Sequence, residues 1–146
     1  MGSLVEASKD PNKRKLIIDD CEQMLDLEVA DKRGLSGMTV KAGFAAVKKM
    51  KPGMIRHTLD DLLDELSVNV DPLWLECQAK NADPVEFFVS QKLAVANAML
   101  ATTDKRAQNS QHRTIKITYD QLRPKAVEYI GAAMPRFANI LRKHAS

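Results

Sequence analysis

The chain is poor in the residues from which sites and staples are usually built. It has two cysteines, Cys21 and Cys77, in 146 residues. Two thiols cannot make the disulfide framework of a small secreted domain, and neither belongs to a C-x-x-C pair that would hold zinc. Each falls at an apolar helical position, where cysteine serves as a small core residue. The three histidines, His57, His112 and His144, are far apart, and none has a His or Cys three or four residues away. H-E-x-x-H, G-x-S-x-G, G-x-G-x-x-G and G-x-x-x-x-G-K-[ST] are all missing, which removes the common metal, nucleophile and phosphate-loop signatures. Aromatic residues make up 5% of the chain, too few for the stacking platforms that single-stranded nucleic acids use. The longest near-apolar stretch, Leu93 to Ala101, has nine residues with Asn97 inside it, against the ~20 of a membrane-crossing helix. Lys13-Arg14-Lys15 is followed by only Leu16-Ile17-Ile18 before Asp19-Asp20, too short an apolar run for a secretory leader. Glu6 stands where N-myristoylation needs Ser or Thr. These absences lead to the expectation of a cytoplasmic protein with no metal, no cofactor and no catalytic constellation.

What remains is the composition of an ordinary globule, 45% hydrophobic and 28% charged. A chain of this length buries roughly two-thirds of the surface its extended form exposes, enough for one core without a staple. One domain over residues 1–146 is expected, with residues 1–9 disordered or added by cloning. The net charge of +3 is mild and argues against specific nucleic-acid binding. Its distribution is more informative. Leu16 to Asp31 carries six acids and no bases; Lys32 to Lys51 carries six bases and no acids. Met54 to Gln91 carries eight acids and two bases; Thr103 to Ser146 carries three acids and nine bases. Alternating blocks predict helices whose outer faces attract one another, although screening within ~8–10 Å limits the effect to arrangement.

Helix signals dominate. Asp10-Pro11 is an N-cap followed by proline at the first helical position, and Ile17, Ile18, Cys21, Met24 and Leu25 follow with helical spacing. Ser36 is expected to cap the next helix, with Val40, Phe44 and Val47 as its buried stripe and Gly43 marking a close helix approach. After Lys51-Pro52-Gly53 a third helix turns Ile55, Leu59, Leu62, Leu63 and Leu66 inward. Asp71-Pro72 is expected to open a short helix with Leu73, Trp74 and Cys77, and Asp83-Pro84 a longer one reaching Leu100. Thr103 to Gln111 is polar and is expected to be a loop or weak turn. Thr114 to Thr118 alternates like a strand. A lone strand would have no partner for its backbone groups, so a helix is expected here too. Val127, Ile130, Met134, Phe137 and Leu141 form a last seam, which Pro135 must kink or restart. The fold class expected is all-α, a compact single-domain bundle of six or seven helices.

Several of these segments carry a resemblance. Asp31-Lys32-Arg33-Gly34-Leu35-Ser36-Gly37, then Val40-Lys41-Ala42-Gly43-Phe44, Val47-Lys48 and Lys51-Pro52-Gly53, are joined by Leu122-Arg123-Pro124, Pro135-Arg136 and Lys143-His144-Ala145. In that order, from about Pro11 to Ala145, the chain resembles a family of small all-helical bacterial proteins of unknown function, commonest in actinobacteria. The resemblance implies a helical fold and assigns no site.

The acids at Asp19, Asp20, Asp60, Asp61 and Asp64 lie opposite apolar stripes, and no Glu-x-x-His accompanies them as in di-iron bundles. They are read as a solvated face. Candidate anion- or partner-contacting residues are Lys41, Lys48, Lys51, Arg56, His57, Arg123 and Arg136. Two functions are weighed. The first is a non-catalytic interaction protein, whose partner is another protein or a second copy of itself. The alternative is a helical carrier that encloses an apolar or phosphate-bearing small molecule. A large apolar cavity with basic residues at its mouth would distinguish the second.

Overall fold

Proline and its capping partner mark where the first long helix begins. The computed structural model describes residues 2–146. Among them are eight helices and no strand: α1 (Leu4–Lys9), α2 (Pro11–Asp31), α3 (Gly34–Met50), α4 (Met54–Ala79), α5 (Pro84–Ser90), α6 (Lys92–Gln108), α7 (Arg113–Ala132) and α8 (Met134–His144). The Asp10 carboxylate accepts from the backbone N–H groups of Asn12 (2.9 Å) and Lys13 (3.3 Å). Asp83 likewise accepts from the N–H of Glu86 at 3.0 Å. Gly53 has φ +82°, and this left-handed turn separates α3 from α4. The 114–118 segment lies inside α7, so the shortage of strand partners overrides its β-branched composition.

Residues 4–9, expected to be disordered or foreign, form α1. A six-residue helix has no stability of its own, so its support comes from elsewhere. Leu4 and Ala7 are buried in the core. Asp71 receives the free end of the helix: its two carboxylate oxygens accept from the N–H groups of Leu4 (2.7 Å) and Val5 (3.0 Å). That use explains a second difference. Asp71-Pro72 does not cap a new helix, and α4 runs straight through Pro72. An interior proline costs about 3 kcal/mol, and here Val70, Trp74 and Cys77, all buried, pack on either side of it.

The core is uneven. Phe88 is fully buried and touches three other aromatic rings, Trp74 at 6.2 Å, Phe87 at 5.7 Å and Phe137 at 6.0 Å between centroids. Around it the second half of α4, α5, α8 and α1 come together, with Val70, Met134 and Leu141 fully buried. The Trp74 indole N–H donates to the carbonyl of Ala145 at 3.0 Å, and the Gln78 amide donates to the carbonyl of Gly2 at 2.8 Å. By contrast α7 has no fully buried residue and α3 has only Gly37.

Several expectations fail at that loose side. Ser36 makes no cap; α3 starts two residues earlier, at Gly34, with no side-chain cap bond. Val47 is 43% exposed, and Val40 and Phe44 are only partly buried. Gly43 faces open space. The close approach belongs to Gly37, where an added Cβ would lie 2.7 Å from the backbone carbon of Lys32. The segment expected to run unbroken from Pro84 to Leu100 divides at Gln91, which leaves Val89 and Leu93 exposed. The 103–111 stretch, expected to be a loop or a weak helical turn, is regular helix as far as Gln108.

The two glycines of α3 therefore have opposite consequences. Gly43→Ala is expected to stabilise the fold by up to ~1 kcal/mol, the helix-interior difference. Gly37→Ala is expected to destabilise it. Urea midpoints of the two variants against the parent check both signs.

Candidate functional site

The inner stripe of α2 does not meet a packed core. Ile17, Ile18, Cys21, Met24, Leu25 and Val29 border a cavity of about 330 Å³. Its other walls are Leu59, Leu62, Leu63 and Leu66 of α4, Met99 and Leu100 of α6, and Met134, Phe137 and Ile140 of α8. From α3 comes only Val40; from α7 come Tyr129 and Ile130. These walls are carbon almost throughout. The leucine and isoleucine spacing of α2 and α4 reads as a buried seam, and it is one. The two seams flank a space because α3 and α7 do not press inward to close it.

Polar groups collect at one end. Glu28 and Lys32 of α2 and Tyr129 of α7 all line the cavity. The Lys32 ammonium lies 4.5 Å above the Tyr129 ring, a cation–π distance. Its nearest carboxylate oxygen is that of Glu28, at 3.9 Å, beyond hydrogen-bond range. Glu28 is instead hydrogen-bonded by Arg136, which also donates to Asp31 at 2.9 Å. Nothing in the sequence singles out Glu28, Lys32 or Tyr129. The one available signal is that the acidic block ends and the basic block begins between Asp31 and Lys32.

All six acids of α2 have a basic partner. Asp19 and Glu22 accept from Arg56 at 2.6 and 2.7 Å. Asp26 pairs with Lys48, and Glu28 and Asp31 with Arg136. Asp20 faces His144 Nε2 at 2.6 Å and Lys143 Nζ at 3.1 Å. On α4, Asp60 and Asp64 hold Arg14 while Asp61 holds Arg106. The acids expected to form a solvated face are exposed, Asp20 excepted, and also fasten helix to helix, as the alternating charge blocks anticipate.

Of the seven candidate residues, four sit in such pairs: Lys48, Arg56, Arg136, and Arg123, whose guanidinium meets both oxygens of Asp104 at 2.8 Å. Lys41, Lys51 and His57 make no ion pair among the described residues. Arg56 and His57 meet Arg14 and Lys15 around a shallow groove that also holds Asp60. The others stand apart, Lys41 and Lys48 on α3, Lys51 at its end, Arg123 on α7 and Arg136 on α8.

Reactive chemistry finds little here. Burial, with Asp20 nearby, pushes the Cys21 thiol up to about 12, so at neutral pH it is not a nucleophile. Cys77 is shifted upward for the same reason, with Asp83 as the charge. Among the described residues, no group of three or more His, Cys, Asp or Glu is placed to hold a metal ion. No helix of the described residues is long and apolar enough to cross a membrane.

One polar clamp controls the outer wall. α7 has no fully buried side chain, and its side-chain hydrogen bonds to α6 centre on Asp104, which accepts from Tyr119 and Arg123, with Thr103 and Tyr119 hydroxyls 2.8 Å apart. The hydrogen bonds from Arg123 hold the Asp104 carboxyl below the usual carboxylate range, against a smaller upward push from burial. A lowered folded value means that the clamp is complete above the ordinary aspartate value of ~4 and is lost as pH falls through the lower folded one. Amide exchange in α7 is expected to speed up at acid pH, and Asp104→Asn is expected to produce the same loosening at neutral pH.

Neither a search of curated proteins nor one of solved structures finds a match. The sequence profile of a family of unknown function, DUF6918, matches residues 4–145. That span runs from the first residue of α1 past the end of α8, taking in the capped N-terminal helix, the cavity and its polar end alike, and the chain belongs to this family.

Proposed function

We propose that the protein is a carrier for an apolar small molecule, held between α2, α4, α6, α7 and α8. The cavity carries this reading. Packed interiors leave few voids larger than a water molecule, and a dry apolar space of roughly 150 Å³ already accepts benzene. At 330 Å³ the space reaches the lower range of small-molecule pockets, roughly 300–1,000 Å³. Counting about 30 Å³ for each water-sized group, it holds on the order of ten of them. Its lining follows α2 from Ile17 to Lys32, roughly 22 Å at the helical rise, which suits an extended molecule better than a compact one. The protonated Cys21 thiol on the wall favours storage or transport over conversion.

The way in is α3. It has one buried residue, it supplies one lining residue, and a single ion pair, Lys48 to Asp26, ties it to α2. Elements held by so little open at low free-energy cost. Both cysteines are free thiols, which supports a reducing compartment, the cytoplasm, as the place of action. A second reading, interaction with an acidic protein or with another copy, is favoured by the same helix: Leu35, Met38 and Met50 are exposed, and Lys41 and Lys51 form no ion pair.

The carrier reading predicts a chain-length series. Titration calorimetry with n-alkanols from six carbons upward is expected to show affinity rising about fourfold per methylene, the equivalent of ~0.8 kcal/mol, and levelling near ten carbons. Ala133→Phe, which places a ring on the cavity wall, is expected to weaken binding of the longest members most. An affinity independent of chain length would remove the reading. Hydrogen exchange is expected to find α3 amides among the fastest, and slowed by a bound alkanol.

A further inference from the structure

The apolar walls say nothing about the polar end of a ligand; three residues do. Lys32 is 14% exposed through its side chain, and its ammonium has no acceptor within hydrogen-bond distance. An ammonium offers three donors; no buried side-chain polar atom among the described residues lacks a partner, so those of Lys32 face water at the mouth of the cavity rather than a protein acceptor. The Tyr129 ring beneath it supplies a cation–π contact at 4.5 Å, which leaves the donors themselves unused. The Tyr129 hydroxyl is likewise open to water and has no hydrogen-bond partner among the described residues. The adjacent Glu28 carboxylate accepts from Arg136. What this end of the cavity has in excess is donors.

On the reading of the cavity as a binding site, we propose that its ligand is a single-chain amphiphile with a carboxylate head, the chain lying along α2 and the head accepting from Lys32 and Tyr129. A carboxylate supplies acceptors where the protein has none left and replaces the long 3.9 Å approach of Lys32 to Glu28 with a direct charge-assisted bond. An ammonium head would add a fourth cation to Lys32, Arg136 and Lys125, whose ammonium lies 5.7 Å from the Tyr129 ring, and would offer Lys32 and Tyr129 no acceptor. The six charged groups here, Lys32, Lys125 and Arg136 against Glu28, Asp31 and Glu128, balance, so a head with one negative charge suits the site better than a doubly charged one.

The test is calorimetry at neutral pH with decanoate, decanol and decylammonium on the parent protein, Lys32→Met and Lys32→Arg. Decanoate is expected to bind the parent about tenfold or more tighter than decanol, the worth of a hydrogen bond to a charged group. Lys32→Met keeps the aliphatic stem; it is expected to erase that difference while decanol binds as before, which also shows that the variant is folded. Lys32→Arg is expected to keep the preference. Decanol equal to decanoate in the parent, or an equal loss of both in Lys32→Met, overturns the head-group assignment and leaves the carrier reading standing. Failure of all three probes to bind the parent overturns the carrier reading and the head-group assignment together.

Discussion

A bundle can keep a hollow only if some other part of it is closed tightly enough to hold the helices apart. Here that part is the aromatic contact of Phe88 with Trp74, Phe87 and Phe137. It fixes α4, α5 and α8 against one another, and the Asp71 carboxylate adds α1 by satisfying its first amides. Buried packing contacts are small one by one but large in sum, so the dense half sets the geometry and the open half inherits it.

The perimeter of the open half is polar. Every acid of α2 is matched by a base on α2, α3, α4 or α8. Exposed pairs of this kind contribute little stability one at a time. They do fix rotation and register, because a turned α2 would lose all of them at once. The rotation they hold is the one that aims Ile17, Cys21, Met24 and Lys32 at the cavity. Outer charge and inner apolar stripe are thus two readings of one helical repeat.

The amount legible in the sequence follows from how local each determinant is. Asp10-Pro11 and Asp83-Pro84 announce helix starts because the cap and its amides are neighbours in the chain. Asp71-Pro72 carries the same letters and means something else, since its amides belong to Leu4 and Val5, far away in sequence. Hydropathy at helical spacing identifies an inward face, and it did so for α2, α4 and α8. It does not reveal whether that face meets side chains or space, which depends on how closely a third and fourth helix approach. For that reason the cavity and its polar end were invisible, and Val40, Phe44 and Val47 were placed too deep. The charge blocks were informative because ion pairing between faces depends on sign alone.

Gly37 connects the two ends of the ligand problem. It rests against the backbone of Lys32 with no room for a methyl group, so on the carrier reading the start of the helix proposed to yield is seated on the residue proposed to meet the head. Occupancy of the site and the posture of α3 are then reciprocal quantities: whatever factor a docked α3 multiplies into affinity, a bound molecule must multiply into the docking of α3. On the carrier reading, a grip on the outside of that helix would bear, through one absent side chain, on whether cargo is retained or surrendered.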